Sequence, residues 1–230
     1  MTEVERLQIG MATWLIVASM LVLPIYGFSL GFNMLAPSSG ELVQLGAHVF
    51  PVSLEFDPKR LFTALFLHGS LAHFGTNALG ILLFGGALES QTKSVLVPLV
   101  FVVTGVVGNL LTSLLYDPIA HGGLLGVSVG ASGGVMGLLG YLTLLSRAPS
   151  YHASLNTKTL LWLAALTFVA GFVLPNIDNA AHLGGYVCGI LLALPALVVR
   201  CATQQSHKAP HSDHEDAKAF AESSSAEDNS

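Results

Sequence analysis

Apolar runs of about twenty residues, nearly free of charge and separated by short polar breaks, recur along this chain, and each predicts one membrane crossing. Six can be drawn: 11–32, with Pro24 as a kink; 67–88, closed by Glu89; 94–116; 128–145, ending before Arg147; a short 159–174; and 180–199. Segment 33–60 contains no clean span and carries Pro37, Ser38, Ser39, Gly40, Pro51 and Pro58. Within it, 42–54 is apolar apart from Gln44, His48 and Ser53, the pattern of a loop lying in the membrane interface and packed on the bundle. The expected architecture is all-α. Residues 1–10 form a cytoplasmic N-terminus, 11–200 a six-span domain with 33–60 as its interfacial loop, and 201–230 a tail. That tail is rich in Ser, His, Asp, Glu and Ala, and it is expected to be disordered.

Composition supports the membrane reading. Hydrophobic residues make up 52% of the chain and charged residues 10%, against about 25% charge in a soluble domain. The net charge of −5 says little about partners, because the acids crowd into the tail, and no basic run points to nucleic acid. Cys188 and Cys201 provide neither a disulfide framework nor metal-ligand spacing. The opening MTEVERLQIG lacks the basic start of a signal peptide, so the run after it is expected to stay as the first span.

Basic residues orient the spans. Arg6, Lys93, Arg147, Lys158, Arg200, Lys208 and Lys218 fall on one side, and only Lys59 and Arg60 on the other. Under the positive-inside rule both termini are cytoplasmic.

Histidine, asparagine and serine near the starts of the even-numbered spans fall at similar depth. His68, His73 and Asn77 open the second span, with the last two on one helical face; Ser132 opens the fourth and His182 the sixth. All three spans enter from the outer side. Gly126, Gly130 and Gly134 form one row at i, i+4 on span four and Gly133 and Gly137 a second, and span six carries Ala181, Gly185 and Gly189. Small residues at this spacing let helix backbones approach closely.

Together these residues point to nucleophilic chemistry. A neutral His182 takes the Ser132 proton as general base, and the Ser132 N–H near a helix start is free to face an oxyanion, with His73 and Asn77 as further donors. No acid is placed as a third member; Asp178 or Asn179 reads as the cap of span six. Gly130-Ala131-Ser132-Gly133-Gly134 also fits G-x-S-x-G, but that elbow needs a preceding strand in an α/β sheet. A metal held by His68, His73 and His182 lacks a carboxylate, so no metal is expected. His48, His121, His152 and the tail histidines read as loop residues.

With His68-x4-His73-x3-Asn77, Gly130-Ala131-Ser132-Gly133, Ala181-His182-x-Gly184-Gly185-x3-Gly189 and Gly85-Gly86-Ala87-Leu88-Glu89 in order, the chain resembles the rhomboid intramembrane serine proteases. The resemblance implies a Ser132–His182 dyad in a cavity open to the outer face. It also implies an oxyanion hole of His73, Asn77 and the Ser132 amide, with Gly130, Gly133, Gly185 and Gly189 as the glycines near the site. Substrates would be single-span membrane proteins cut near the outer end of the span, in the lipid bilayer and without a cofactor. Two departures stand out: the family's Trp-Arg pair has no match in the long loop, which ends in Lys59-Arg60, and Met136 stands where the family often has an aromatic four residues after the serine. The form resembled is the minimal six-span one, which looks bacterial and implies an inner-membrane location. The other expectation is a catalytically silent rhomboid-like protein that binds membrane proteins and guides their folding or degradation.

Overall fold

Pro24 explains where the first crossing bends. A proline has no N–H for the carbonyl four residues back, and its ring crowds that carbonyl. Here that residue is Met20, and the helix breaks beside it into α1 (Met11–Ser19) and α2 (Val22–Ser29). The computed structural model describes residues 9–50, 57–116, 125–152, 155–174 and 177–208. Arg6, Pro51, Ser53, His121, Asn176 and everything from 209 onward lie outside the described residues.

The loop after α2 carries structure of its own. Ser38 caps α3 (Ser39–Gln44) by accepting the Glu41 N–H at 3.3 Å, while the Glu41 carboxylate accepts the Ser38 N–H at 2.7 Å. β1 (His48–Phe50) then pairs antiparallel with β2 (Gly126–Ser128), placing His48 opposite Ser128. The all-α expectation therefore gains a two-stranded ribbon, which ties the loop to the chain entering the fourth apolar run. In α4 (Lys59–Thr63), Arg60 donates to the carbonyls of Val43 and Ala47 at 2.8 and 3.0 Å. Arg60 thus closes the loop on itself.

The second crossing starts later than the apolar run suggested. Ser70 caps α5 (Leu71–Gly80) by accepting the His73 N–H at 3.1 Å, so His68 lies ahead of the helix rather than in it. One π turn, Ile81–Gly85, leads into α6 (Gly86–Glu89). Glu89 ends it by accepting from the Ala12 and Thr13 N–H groups at 3.1 Å each and from the Thr13 hydroxyl at 2.7 Å. That carboxylate fastens the start of α1 to the end of α6.

Then follow α7 (Leu96–Leu115), α8 (Ser132–Leu145), α9 (Thr157–Val173) and α10 (Asn179–Lys208). Among the described residues four stretches are long and apolar enough to cross a membrane: Met11–Ser29, Leu71–Glu89, Leu96–Leu115 and Asn179–Gln205. α8 and α9 are shorter, at 14 and 17 residues. α8 is short because the expected first turn is spent on the end of β2 and on Gly130, whose φ of 130° no helix accepts. Gly126 and Gly130 therefore do not share a helical row with Gly134. At the other end α10 runs on to Lys208, so the first eight residues of the expected tail are helical.

The core centres on α8. Its Leu138, Leu139 and Leu142 are fully buried against Leu88, Phe101 and Leu160, and α7 and α10 pack along its flanks. Outside, Leu15, Ile25, Leu79, Leu114, Phe172 and Val198 are exposed, a surface suited to lipid. The chain is an integral membrane protein.

Candidate active site

Three chain segments converge at the start of α8. The strand β2 ends at Ser128, and Val129 leads to Gly130, whose N–H donates to the Ala64 carbonyl at 2.9 Å. The positive φ at Gly130 turns the chain sharply into the helix, and Ser132 is the first helical residue. A side chain at 130 is excluded twice over. Its Cβ would be strained by that φ and would lie 2.7 Å from Cε1 and Nε2 of His73 and 3.6 Å from Nδ2 of Asn77.

That relation brings the second crossing to the nucleophile candidate. His73 and Asn77, one turn apart on α5, lie against the backbone two residues before Ser132. Asn77 is buried, and its Nδ2 donates to the His73 carbonyl at 3.1 Å. Among the described residues nothing accepts the Ser132 N–H, as expected of the first turn of a helix. Ser132 itself is only partly buried.

The third segment is α10. Gly133, Gly137 and Gly140 on α8 meet Gly185, Gly189 and Tyr186 on α10 backbone to backbone: a Cβ on Gly185 would overlap the Gly133 carbonyl, and one on Gly189 the Gly137 carbonyl. One turn earlier, the Gly133 position faces the Ala181 carbonyl at 3.5 Å. The residue after Ser132 and the residue before His182 are therefore neighbours across the two helices. Gly134 and Gly137 also face α7, where their added Cβ atoms would run into Phe101 and Thr104.

His182 is buried, and its Nδ1 has no hydrogen-bond partner. No hydrogen bond joins it to Ser132 among the described residues. Among the described residues the Asp178 carboxylate makes no hydrogen bond to the His182 ring. That carboxylate instead accepts from the Ala181 N–H at 2.9 Å, capping α10, and from the hydroxyls of Thr112 and Ser128. The expected cap is thus Asp178 rather than Asn179, and among the described residues no acid is bonded to the imidazole.

His68 is buried with neither ring nitrogen paired, edge-on to His73 with ring centroids 5.2 Å apart. Burial, followed by the nearby His73, pushes its pKa down to about 3. Among the described residues no cluster of three His, Cys, Asp or Glu side chains is arranged to hold a metal.

Some of the surroundings escaped the sequence reading. His48 is a buried strand residue, not a loop one, and its Nε2 lies 2.8 Å from the Ser113 hydroxyl. The reach of Asp178 to Thr112 and Ser128 left no local signal either, because those partners are 66 and 50 residues away. Met136 is buried in the core beneath the site.

Comparison with known proteins points one way. The family model described as the rhomboid domain matches residues 55–198. RHOMBOID-like protein 1 of Arabidopsis thaliana is 36% identical over 169 residues, 72% of this chain and 41% of that protein. The putative rhomboid protease YdcA of Bacillus subtilis is 33% identical over 58% of this chain and 65% of its own length. The rhomboid protease GluP of the same bacterium is 29% identical over 72% of this chain and 31% of its own length. The chain thus covers about half or less of the plant relative and of GluP, and a larger part of YdcA.

Proposed function

Because this chain belongs to the rhomboid family, we propose that it is an intramembrane serine endopeptidase with Ser132 as nucleophile and His182 as general base. The observation that carries the proposal is the backbone contact of Gly133 with Gly185 and Ala181, which holds the two helix starts side by side. Neutral His182 takes the hydroxyl proton as Ser132 Oγ attacks a peptide carbonyl. The oxyanion is met by the Ser132 N–H, Asn77 Nδ2 and His73, and His182 returns the proton to the leaving amine. Water then cleaves the acyl-enzyme by the same steps in reverse roles. The absence of a bonded acid at His182 Nδ1 favours a dyad over a triad. Catalytic hydrogen bonds are often open in a free enzyme and close on substrate, so the unbonded pair is compatible with this role.

In this reading α8 and α9 complete a six-span bundle with both termini in the cytoplasm, and the site opens to the outer face. Substrates are single-span membrane proteins cut near the outer end of their span, and the bacterial inner membrane is the proposed location. Purified protein in liposomes should cleave a single-span reporter, and Ser132→Ala and His182→Ala should not. A wild type that binds the reporter without cutting it would favour the silent, membrane-protein-binding role instead.

A further inference from the structure

Asp178 does more than a helix cap requires. A capping carboxylate needs only an amide of the first turn, which Ala181 supplies at 2.9 Å. Here the same carboxylate also takes the Ser128 hydroxyl at 2.9 Å and the Thr112 hydroxyl, which lies 2.9 and 2.8 Å from its two oxygens. The three donors sit on three elements: α10 itself, the last residue of β2, and the outer end of α7.

The spacing gives these bonds a consequence. Ser128 is four residues before Ser132, and Asp178 is four residues before His182. Between Ser128 and Ser132 the chain has little freedom, because the Gly130 N–H is held by the Ala64 carbonyl at 2.9 Å. Between Asp178 and His182 the chain is the first turn of α10, whose His182 N–H donates to the Asp178 carbonyl at 3.1 Å. One carboxylate therefore joins the strand that delivers the serine to the helix that delivers the histidine. The strand end is anchored once more, since His48 opposite Ser128 is bonded to Ser113 on α7.

We propose that Asp178 is a positioning residue: by bridging Ser128 and Thr112 to the start of α10, its carboxylate sets the distance and relative height of Ser132 and His182 without bonding to either side chain. The inference rests on the Ser132–His182 reading above. The glycine contacts of α8 and α10 bring the two helices together from Gly133 and Ala181 inward. The carboxylate closes the open end.

Variants can separate the bridge from the cap. Ser128→Ala removes the arm of the bridge that reaches β2 and leaves the Thr112 arm and the Asp178–Ala181 cap in place, whereas Asp178→Ser keeps a capping oxygen that is too short to span to Ser128 or Thr112. Each should lower kcat on a single-span reporter about tenfold with KM unchanged, a loss of the size that small misplacements produce. The double variant should be no worse than Asp178→Ser alone. Amide exchange by mass spectrometry should rise in both 126–132 and 179–184 for Ser128→Ala, although only one of those segments is mutated. The proposal is overturned if Ser128→Ala keeps kcat within a factor of about two, if the two losses multiply, or if exchange rises in 126–132 alone. The exchange measurement needs no activity, so a wild type that cleaves nothing defeats the protease reading while the bridge is still decided.

Discussion

The Gly133 carbonyl and the α-carbon of Gly185 meet with no room for a methyl group between them. The obstacle is backbone on both sides, so no side chain can swing away to relieve it. Gly185→Ala should therefore force α8 and α10 apart, costing about 1–3 kcal/mol as overpacking does, and should cut proteolysis by about a hundredfold through misplacement of His182. Gly133→Ala is the control for packing, because its Cβ finds its nearest neighbour at an ordinary 3.5 Å. Thermal unfolding in detergent should separate the two, with Gly133→Ala near wild type and Gly185→Ala clearly lower.

Gly130→Ala should disturb the site in another way. The new Cβ meets His73 at 2.7 Å and must adopt a φ of 130°, a conformation costing about 1–3 kcal/mol for a residue with a side chain. The expected result is a folded protein with a much slower acylation rate, read as the rate of fluorophosphonate labelling. Unchanged labelling would mean that His73 and the 130–132 turn are not coupled.

Glu89 offers a test at the opposite end of the bundle. Its carboxylate satisfies two amides and the hydroxyl of fully buried Thr13. Glu89→Ala leaves those donors without their acceptor and should lower stability by about 1–3 kcal/mol. Glu89→Gln keeps one acceptor oxygen and should lose less. Because the clasp is remote from Ser132, labelling rates of the folded fraction should barely move.

Acid should weaken the fold through buried histidines. Burial pushes His48 down to about 4, only partly opposed by the Asp178 charge, from an ordinary value of 6.5. Between those two values the unfolded chain binds the proton and the folded protein does not, so stability declines as pH falls from about 6.5 towards 4 and levels off below. His68, at about 3, extends the decline further. Denaturation between pH 7.5 and 4.5 should show this slope in wild type and a shallower one in His48→Gln. Equal slopes would mean that His48 is not the group responsible.

What could be read from the sequence followed from periodicity and chemistry. The 71–88, 96–115 and 180–199 stretches appear as charge-free apolar runs, and Gly133, Gly137, Gly185 and Gly189 announce a close helix pair by their spacing. The errors fell where a local device overrides hydropathy. Ser70 starts the second helix after His68 has already passed, and Gly130 keeps the four residues before Ser132 out of the helix. Hydropathy cannot see either, because the residues on both sides are equally apolar. The β1–β2 ribbon and the Asp178 bridge depend on partners far away in sequence, so a one-dimensional pattern gives them no trace.

The most direct test is to treat the purified membrane protein with a fluorophosphonate and map the adduct by mass spectrometry. The account predicts a single modified residue, Ser132, with labelling abolished in His182→Ala and in Ser132→Ala. An adduct elsewhere, or labelling that persists without Ser132 or without His182, would contradict it.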